Sequence, residues 1–355
     1  MSTVRLSAAI MTHPARVDAA ERLRERCSGF GPQVAIDPSP GRAGNLDASV
    51  LAWSSKASAA THHLVLQDDV DLCPGFAEEV VEAVASRPND PLYLFAEWGT
   101  RTGQMARLAA LRGVSWAEDA DPILSPQAIV MPTQLAGAFV DYVATHPEVP
   151  QDDALALGDF LRDRGARTFI SVPNLVEHAG APSLLGHDLL MGWRRSVCFG
   201  RPDGDDRHWS STTLDAGVLL PHLDAGKAYV CDSSDDQWTG EPANAWLAAR
   251  GMPLAEQIRL YHEAATLTDL ADVHRIVSPT VTFHYWLTGF LFGALCGQDD
   301  VDSALKRPLV QRAFATLFSG GTRAQLPAAR MAELSPHLIP LLEQGIRMGA
   351  IIRPA

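Results

Sequence analysis

The segment HHLVLQDDVD, from His62 to Asp71, carries the strongest structural signal in this chain. Residues 63–67 form a short apolar run typical of a buried β-strand, and the run leads directly into a group of carboxylates. On extended backbone, side chains two residues apart share a face, which predicts Asp69 and Asp71 on one side and Asp68 on the other. Two carboxylates on one face form a weak oxygen-ligand site for Mg²⁺ or Mn²⁺, completed by substrate phosphates and water. The alternative is a solvated acidic turn that precedes the next helix.

The elements on either side of this segment alternate between strand and helix. Apolar runs predict strands at residues 4–11, 34–36, 63–67 and 92–95, and helical spacing predicts helices at 16–27, at 45–60 and from 74 onward. This order indicates an α/β fold with a mixed, mostly parallel sheet and helices on both faces, in which ligands bind at the carboxyl ends of the strands. Further strands are predicted at 123–132 and 168–172, with helices at 135–145 and 154–164.

The character of the sequence changes near residue 200. Gly, Asp, Ser and Pro dominate as far as residue 244, and helical segments follow at 245–250, 254–265, 283–296, 309–318 and 338–348. We therefore expect two domains, an α/β domain over residues 1–200 and a mainly helical extension over residues 201–355. The helical extension is expected to cover an acceptor site, to form a homodimer interface, or both.

Composition limits the classes of partner. The chain of 355 residues carries a formal net charge of −13 at pH 7, which argues against a surface for nucleic acid or an anionic membrane, because such surfaces need clustered Lys and Arg. No stretch approaches the roughly 20 apolar residues of a membrane span, and the N-terminus lacks the long apolar core of a signal peptide. The 5 cysteines have no metal-ligand spacing and are expected to be reduced and mostly buried. Together these features predict a cytoplasmic globular protein.

The string Leu64-Val-Leu-Gln-Asp-Asp-Val70 is similar to the Leu-Glu-Asp-Asp-Val strings of bacterial sugar transferases. With the opening strand and its polar loop, a later acidic helix start and a Pro-x-x-x-x-His-x-Gly loop, residues 4–190 resemble a glycosyltransferase of the GT-A type, the family with a D-x-D motif. The resemblance implies transfer of a sugar from a nucleotide-diphosphate sugar to an acceptor such as a small molecule, peptide or glycan. It also implies Mn²⁺ or Mg²⁺ bound by Asp69 and Asp71, with Asp68 facing the ribose or sugar.

The loop after the first strand holds the base and ribose in the resembling family, and here it contains Thr12, His13 and Arg16. The alternative is a strand-to-helix turn in which Thr12 caps the helix. Further candidate contacts to the base, ribose, phosphates or sugar are Asp37, Arg42, Asn45 and Lys56. Turn formation with Pro38 explains Asp37 equally well, and solvated surface is the ordinary position of Arg and Lys.

Two later segments supply the remaining candidates. Asp152 and Asp153 begin a predicted helix, where the helix dipole alone favours carboxylates. The functional alternative is a general base that deprotonates the acceptor hydroxyl, for which Asp153 is preferred. In many relatives a His beyond the last strand is a metal ligand, so His178 is either the third ligand or a turn histidine. Ser183 and His187 in the same loop are candidate contacts to the diphosphate.

Two other functions fit the same residues. A nucleotidyltransferase or phosphohydrolase also uses carboxylate-bound Mg²⁺, but the chain contains neither of the Gly-rich phosphate-binding motifs G-x-x-x-x-G-K-[ST] and G-x-G-x-x-G. A non-catalytic scaffold with a degenerate transferase fold would bind ligand without turnover. The presence of Asp69, Asp71, Asp153 and His178 favours an enzyme.

Overall fold

The computed structural model describes residues 4–27, 29–40, 44–123, 125–180, 183, 184, 186, 189, 191–202, 209, 210, 212–233 and 240–352. The chain divides into two compact units. Unit 1 comprises Met1–Ala96, Pro122–Leu185 and Phe199–Ser211, and unit 2 comprises Glu97–Asp121, Gly186–Cys198 and Thr212–Ala355. The predicted single boundary at residue 200 differs from this division, because residues 97–121 and 186–198 belong to unit 2.

Strands and helices alternate through the first half of the chain, and helices dominate the second. The described strands are β1 Leu6–Thr12, β2 Gln33–Ile36, β3 His62–Gln67, β4 Val70–Leu72, β5 Leu92–Tyr93, β6 Trp116–Glu118, β7 Ala128–Pro132, β8 Phe169–Ser171, β9 Val176–His178, β10 Thr213–Leu214, β11 Leu219–Asp224, β12 Lys227–Asp232 and β13 Glu241–Pro242. The described α-helices are α1 Val17–Arg26, α2 Leu46–Ser54, α3 Phe76–Ser86, α4 Arg101–Arg112, α5 Thr133–Thr145, α6 Asp153–Asp163, α7 Ala243–Ala249, α8 Leu254–Thr266, α9 Pro279–Leu295, α10 Val301–Leu305, α11 Pro308–Ala315, α12 Leu317–Thr322 and α13 Ala328–Ile352.

Among the residues described for unit 1, six strands lie side by side in the order β8-β5-β7-β3-β1-β2. β1 pairs in parallel with β2 and β3, and β5 pairs in parallel with β8, whereas β7 is antiparallel to both β3 and β5. Ile10, Leu64 and Leu66 are fully buried in the central strands, and helices α1, α2 and α5 pack against the sheet. The predicted α/β fold with a mixed, mostly parallel sheet flanked by helices is confirmed.

A short strand pair in unit 1 was not predicted from the sequence. β4 and β9 are antiparallel, with Val70 opposite His178 and Asp71 opposite Glu177. The sequence predicted a turn at the first of these segments and a loop at the second, because a pairing between such distant segments leaves no local periodicity. Because of this pairing, Asp69 and Asp71 do not share one face as the sequence predicted.

Unit 2 combines helices with a small antiparallel sheet in the order β11-β12-β13. The predicted helical character of the C-terminal part is confirmed, although this sheet was not predicted and helix α9 begins at Pro279, earlier than expected. Within the described residues, no helix is long and apolar enough to cross a membrane. All cysteines are buried, and none of them is in a disulfide, as expected.

Helix α4 is attached to its own unit by a buried arginine. The guanidinium of Arg107 donates hydrogen bonds to the carbonyl oxygens of Ala313 (2.9 Å) and Trp98 (2.9 Å) and to the hydroxyl of Thr316 (2.9 Å). A buried charge is stable only when its donors find acceptors, and here several donors do. Arg107 therefore fixes α4 against the C-terminal end of α11 and the residue that follows it, Thr316.

Helices α9 and α13 approach each other at glycines. Gly289 and Gly293 lie one turn apart on α9, and Gly345 and Gly349 lie one turn apart on α13. A methyl group at Gly293 would lie 1.9 Å from the carbonyl oxygen of Ile346. The two backbones are in direct contact at these positions, which only glycine permits.

We expect Gly293→Ala to lower the free energy of unfolding by about 1–3 kcal/mol or more, because the new methyl group must displace backbone atoms. Gly137→Ala in α5 is the matched control, since the nearest group to its methyl would be the flexible end of Lys56 at 3.4 Å. There the higher helix propensity of Ala is expected to stabilise by up to about 1 kcal/mol. Urea denaturation of both variants measures the effect, and equal results would contradict the proposed backbone contact.

Candidate functional site

The carboxyl ends of β1, β2 and β3 bring polar side chains together. The last pair in the β1–β3 register is Met11 with Gln67, so the following residues, Thr12 and Asp68, meet at the edge of the sheet. There the Thr12 hydroxyl donates a short hydrogen bond to an Asp68 carboxylate oxygen. Asp37, which follows β2, donates its backbone N–H to the carbonyl oxygen of Thr12 at 2.8 Å. Ligands of parallel sheets bind at this edge.

Asp68 and Asp69 share one cation. Nη1 of Arg16 lies 3.4 Å from Oδ1 of Asp68 and 3.0 Å from Oδ2 of Asp69. Burial raises the pKa of Asp68 above its ordinary value, the Thr12 hydrogen bond opposes this shift, and the neighbouring Asp69 charge adds to it. Two carboxylates and one guanidinium leave an excess of negative charge at this point.

The β4–β9 pairing places His178 beside Asp69. Ala179 donates its backbone N–H to the carbonyl oxygen of Asp69 at 2.8 Å, and Nε2 of His178 lies 3.5 Å from Oδ2 of Asp69. Nδ1 of His178 accepts the backbone N–H of Gly180 at 3.3 Å. In a neutral imidazole the proton is then on Nε2, the ring nitrogen that faces Asp69.

Asp71 does not join Asp69, contrary to the sequence prediction. Its Oδ1 pairs with Nη1 of Arg26 at 2.6 Å, and both side chains are about half exposed. The prediction assumed extended backbone from Asp69 to Asp71, whereas β3 ends at Gln67 and Asp68-Asp69 form a two-residue turn before β4. The turn directs Asp68 and Asp69 to the same guanidinium and leaves Asp71 elsewhere.

These residues fit a divalent cation held by carboxylates, but not the predicted three-ligand set. Within the described parts of the chain, no three His, Cys, Asp or Glu side chains form a metal-binding group. Oδ1 of Asp69 is nevertheless buried without a hydrogen-bond partner among these residues. Mg²⁺ commonly binds through one or two carboxylates and takes its remaining ligands from phosphates and water. In the tautomer with its proton on Nε2, His178 is a hydrogen-bond donor, and its role as the third metal ligand stays a prediction.

Asp152 and Asp153 have different roles at the start of α6. Oδ1 of Asp152 accepts the backbone N–H groups of Ala154 (3.0 Å) and Leu155 (3.1 Å), so Asp152 is the helix cap rather than a base. Asp153 is buried, and its Oδ1 accepts a hydrogen bond from Nδ2 of Asn45 at 2.8 Å. Burial, followed by the nearby charge of Asp152, raises the pKa of Asp153 to about 7. A carboxyl group with this pKa is suited to proton transfer near neutral pH.

Asn45 therefore positions Asp153. Besides the side-chain bond, Oδ1 of Asn45 accepts the backbone N–H of Asp153 at 2.9 Å. The backbone N–H groups of Asn45 and Leu46 both donate to the carbonyl oxygen of Gln151. The start of α2 thus holds the start of α6. The predicted role of Asn45 as a donor to phosphate or sugar stays a prediction.

The other predicted residues have local roles or lie elsewhere. Nδ1 of His13 accepts the backbone N–H of Ala15, which caps a short 3-10 turn, and the Asp37 carboxylate accepts the N–H of Ser39 within its turn. Lys56 lies beside His63, near the start of β3. At about 3.3 Å per residue this is roughly 17 Å from the Asp68 end of the strand, too far for a contact with phosphate at that edge.

The remaining candidates are Arg42, Ser183 and His187. Ser183 lies beyond β9 and is partly exposed. Arg42 and His187 lie outside the described residues.

Unit 2 contains a half-buried acidic pair that the sequence reasoning missed. Asp121 accepts the backbone N–H groups of Arg101 (3.2 Å) and Thr102 (2.8 Å), and the Thr102 hydroxyl donates to Asp119. Burial, with the charge of Asp121 second, raises the pKa of Asp119 to about 7. The acidic string at residues 118–121 was the available signal. These contacts fasten a loop to the start of α4.

No known protein family matches the chain, and no characterised protein is significantly similar to it.

We expect Asp153→Asn to stabilise the protein more at pH 8 than at pH 4.5. The pKa of Asp153 rises from 3.8 to about 7 on folding, so its contribution to stability is full below about pH 4 and is lost as the pH rises to about 7. The shift corresponds to a loss on the order of 4 kcal/mol at most. Asn removes this loss and still accepts the hydrogen bond from Asn45.

Urea denaturation across this pH range measures the difference between wild type and Asp153→Asn. Asp141→Asn, which changes an exposed carboxylate on α5, is the matched control and should follow the wild type. A constant difference between Asp153→Asn and wild type at every pH would contradict a raised pKa.

Proposed function

We propose that this protein is a glycosyltransferase of the GT-A type that moves a sugar from a nucleotide-diphosphate sugar to an acceptor hydroxyl. The observation that carries the proposal is the convergence of Thr12, Arg16, Asp68 and Asp69 at the carboxyl edge of a mostly parallel sheet. Such an edge is where nucleotides bind in α/β folds. The site offers carboxylates for a divalent ion and a guanidinium for phosphate at the same point.

The donor end of the reaction needs its diphosphate neutralised. Mg²⁺ or Mn²⁺ held by Asp69, with Asp68 adjacent, would supply this charge and stabilise the leaving nucleoside diphosphate. Arg16 and His178 both lie beside Asp69, and a guanidinium and a protonated Nε2 are donors that suit phosphate oxygens. Thr12 and the partly buried environment hold Asp68 in a fixed position for a ribose or sugar hydroxyl.

The acceptor end needs a base. Asp153 has a pKa near neutrality because it is buried, and Asn45 fixes its carboxylate by a hydrogen bond. Asn45, which holds Asp153, lies at the start of α2, the helix that follows β2 and Asp37 in the chain. In its ionised form Asp153 would take the proton of the acceptor hydroxyl as the sugar is transferred. The acceptor is proposed to be a small molecule, peptide or glycan.

A nucleotide panel tests this proposal. Thermal unfolding is recorded with UDP, GDP, ADP and dTDP and with their sugar conjugates, each with and without Mn²⁺. A ligand at 100 times its Kd stabilises the folded state by about 2.7 kcal/mol. Slow hydrolysis of the matching nucleotide-sugar should release the nucleoside diphosphate, whereas a nucleotidyltransferase acting on a nucleoside triphosphate would release pyrophosphate.

We expect Asp69→Asn to abolish the Mn²⁺-dependent stabilisation, because it removes the charge that holds the ion. Asp71→Asn is the matched control, since Asp71 lies two residues away and pairs with Arg26 at the surface. Thermal shift with the selected nucleotide compares the two variants. Equal losses in the two variants would show that Asp69 and Asp71 bind the ion together, as the sequence predicted, and not Asp69 with Asp68. The absence of a shift with any nucleotide would overturn the proposed function.

A further inference from the structure

We propose that Arg16 is an internal counter-cation that a divalent ion displaces, and that the displaced guanidinium then binds the diphosphate of the nucleotide. The ion and the nucleotide would thus bind together. The nucleotide half of this inference rests on the proposed function, whereas the ion half concerns only the residues of this chain.

Arg16 bridges the two carboxylates as a cation would. Its Nη1 lies between the two carboxylates, 3.4 Å from Asp68 and 3.0 Å from Asp69, and the three side chains are 17%, 7% and 13% exposed. Without a cation at this point, two adjacent carboxylates would repel each other in a poorly solvated place. Arg16 therefore provides, in the absence of other ligands, the charge that a metal ion would bring.

A divalent ion would compete with the Arg16 guanidinium for these two carboxylates. A divalent ion and a guanidinium on the same pair of carboxylates repel each other, so one of them gains when the other leaves. Asp69 already has an oxygen for the ion, because its Oδ1 is buried without a hydrogen-bond partner among the described residues. The Asp68 carboxylate keeps its bond from the Thr12 hydroxyl when the guanidinium moves.

The displaced Arg16 guanidinium would remain close enough to bind the diphosphate. Arg16 ends the short 3-10 turn that begins at Pro14, just beyond β1, so its side chain stays at the carboxyl edge when it rotates. A guanidinium matches phosphate oxygens with paired donors, which makes it a strong partner for a diphosphate. Because binding free energies are reciprocal, an ion that releases Arg16 promotes nucleotide binding, and a nucleotide that captures Arg16 promotes ion binding.

The inference predicts effects of opposite sign, which distinguishes it from a structural role. Removal of the Arg16 charge should tighten Mn²⁺ binding in the absence of nucleotide, by about tenfold or more. The same change should weaken nucleotide binding at saturating Mn²⁺. An arginine that only maintains the fold would weaken both when replaced.

The first experiment titrates the full-length protein with Mn²⁺ alone and follows free Mn²⁺ by electron paramagnetic resonance. Arg16→Gln should bind Mn²⁺ more tightly than wild type, and Arg16→Lys, which keeps the charge, should resemble wild type. Arg26→Gln is the matched control, because Arg26 pairs with the exposed Asp71 and not with Asp69. Equal or weaker binding by Arg16→Gln, or equal gains in the Gln and Lys variants, would overturn the inference.

The second experiment repeats the Mn²⁺ titration of wild type with UDP, GDP, ADP or dTDP present. One of these should tighten Mn²⁺ binding in wild type and do so less in Arg16→Gln, and this wild-type measurement stands even if the Gln variant does not fold. If none of the four nucleotides binds while Arg16→Gln still binds Mn²⁺ more tightly than wild type and Arg16→Lys, the proposed function is wrong. The role of Arg16 as a counter-cation would then still hold. If a nucleotide binds and is turned over while Arg16→Gln binds Mn²⁺ as wild type does, the proposed function stands and the role of Arg16 as a counter-cation is wrong.

Discussion

The parallel register between β1 and β3 is the constraint on which the candidate site depends. Because Met11 lies opposite Gln67, the next residues, Thr12 and Asp68, meet where both strands end. A slip of one residue would turn the side chains of one strand to the opposite face and separate this pair. The turn that follows Asp68 then presents a second carboxylate to Arg16. Sheet hydrogen bonds of the backbone thus determine which charges meet.

Local sequence patterns were sufficient for the sheet and its polar edge. The apolar run at 63–67 became β3. Thr12, the last residue of β1, contacts Asp68, the first residue after β3, as expected for the carboxyl ends of neighbouring parallel strands. The pattern failed where pairing is distant in sequence. Because β9 pairs with β4, the chain turns after β3, so Asp71 faces Arg26 and His178 reaches Asp69. No local periodicity carries that information.

Neighbouring carboxylates at one helix start show the same limit. Asp152 and Asp153 are equivalent by composition and by helix dipole, and the sequence could only rank them. Their difference arises from tertiary structure, because one side chain turns back to cap α6 while the other is buried against Asn45, 108 residues earlier in the chain. Burial separates a residue that stabilises a helix from one whose proton is available near neutral pH. A chemically useful pKa is therefore a property of the fold at this position.

The interleaving of the two units has a consequence for synthesis on the ribosome. Helix α4, whose residues Arg101–Leu111 are all buried, belongs to unit 2 but leaves the ribosome between segments of unit 1. The acceptor that Ala313 provides for Arg107 is made 206 residues later. During that interval the apolar surface of α4 and the guanidinium of Arg107 lack the later residues that bury and bind them. Domains ordinarily fold as units in the order of their synthesis. The nascent chain therefore has to protect one helix until the residues that pair with it, such as Ala313, have been made.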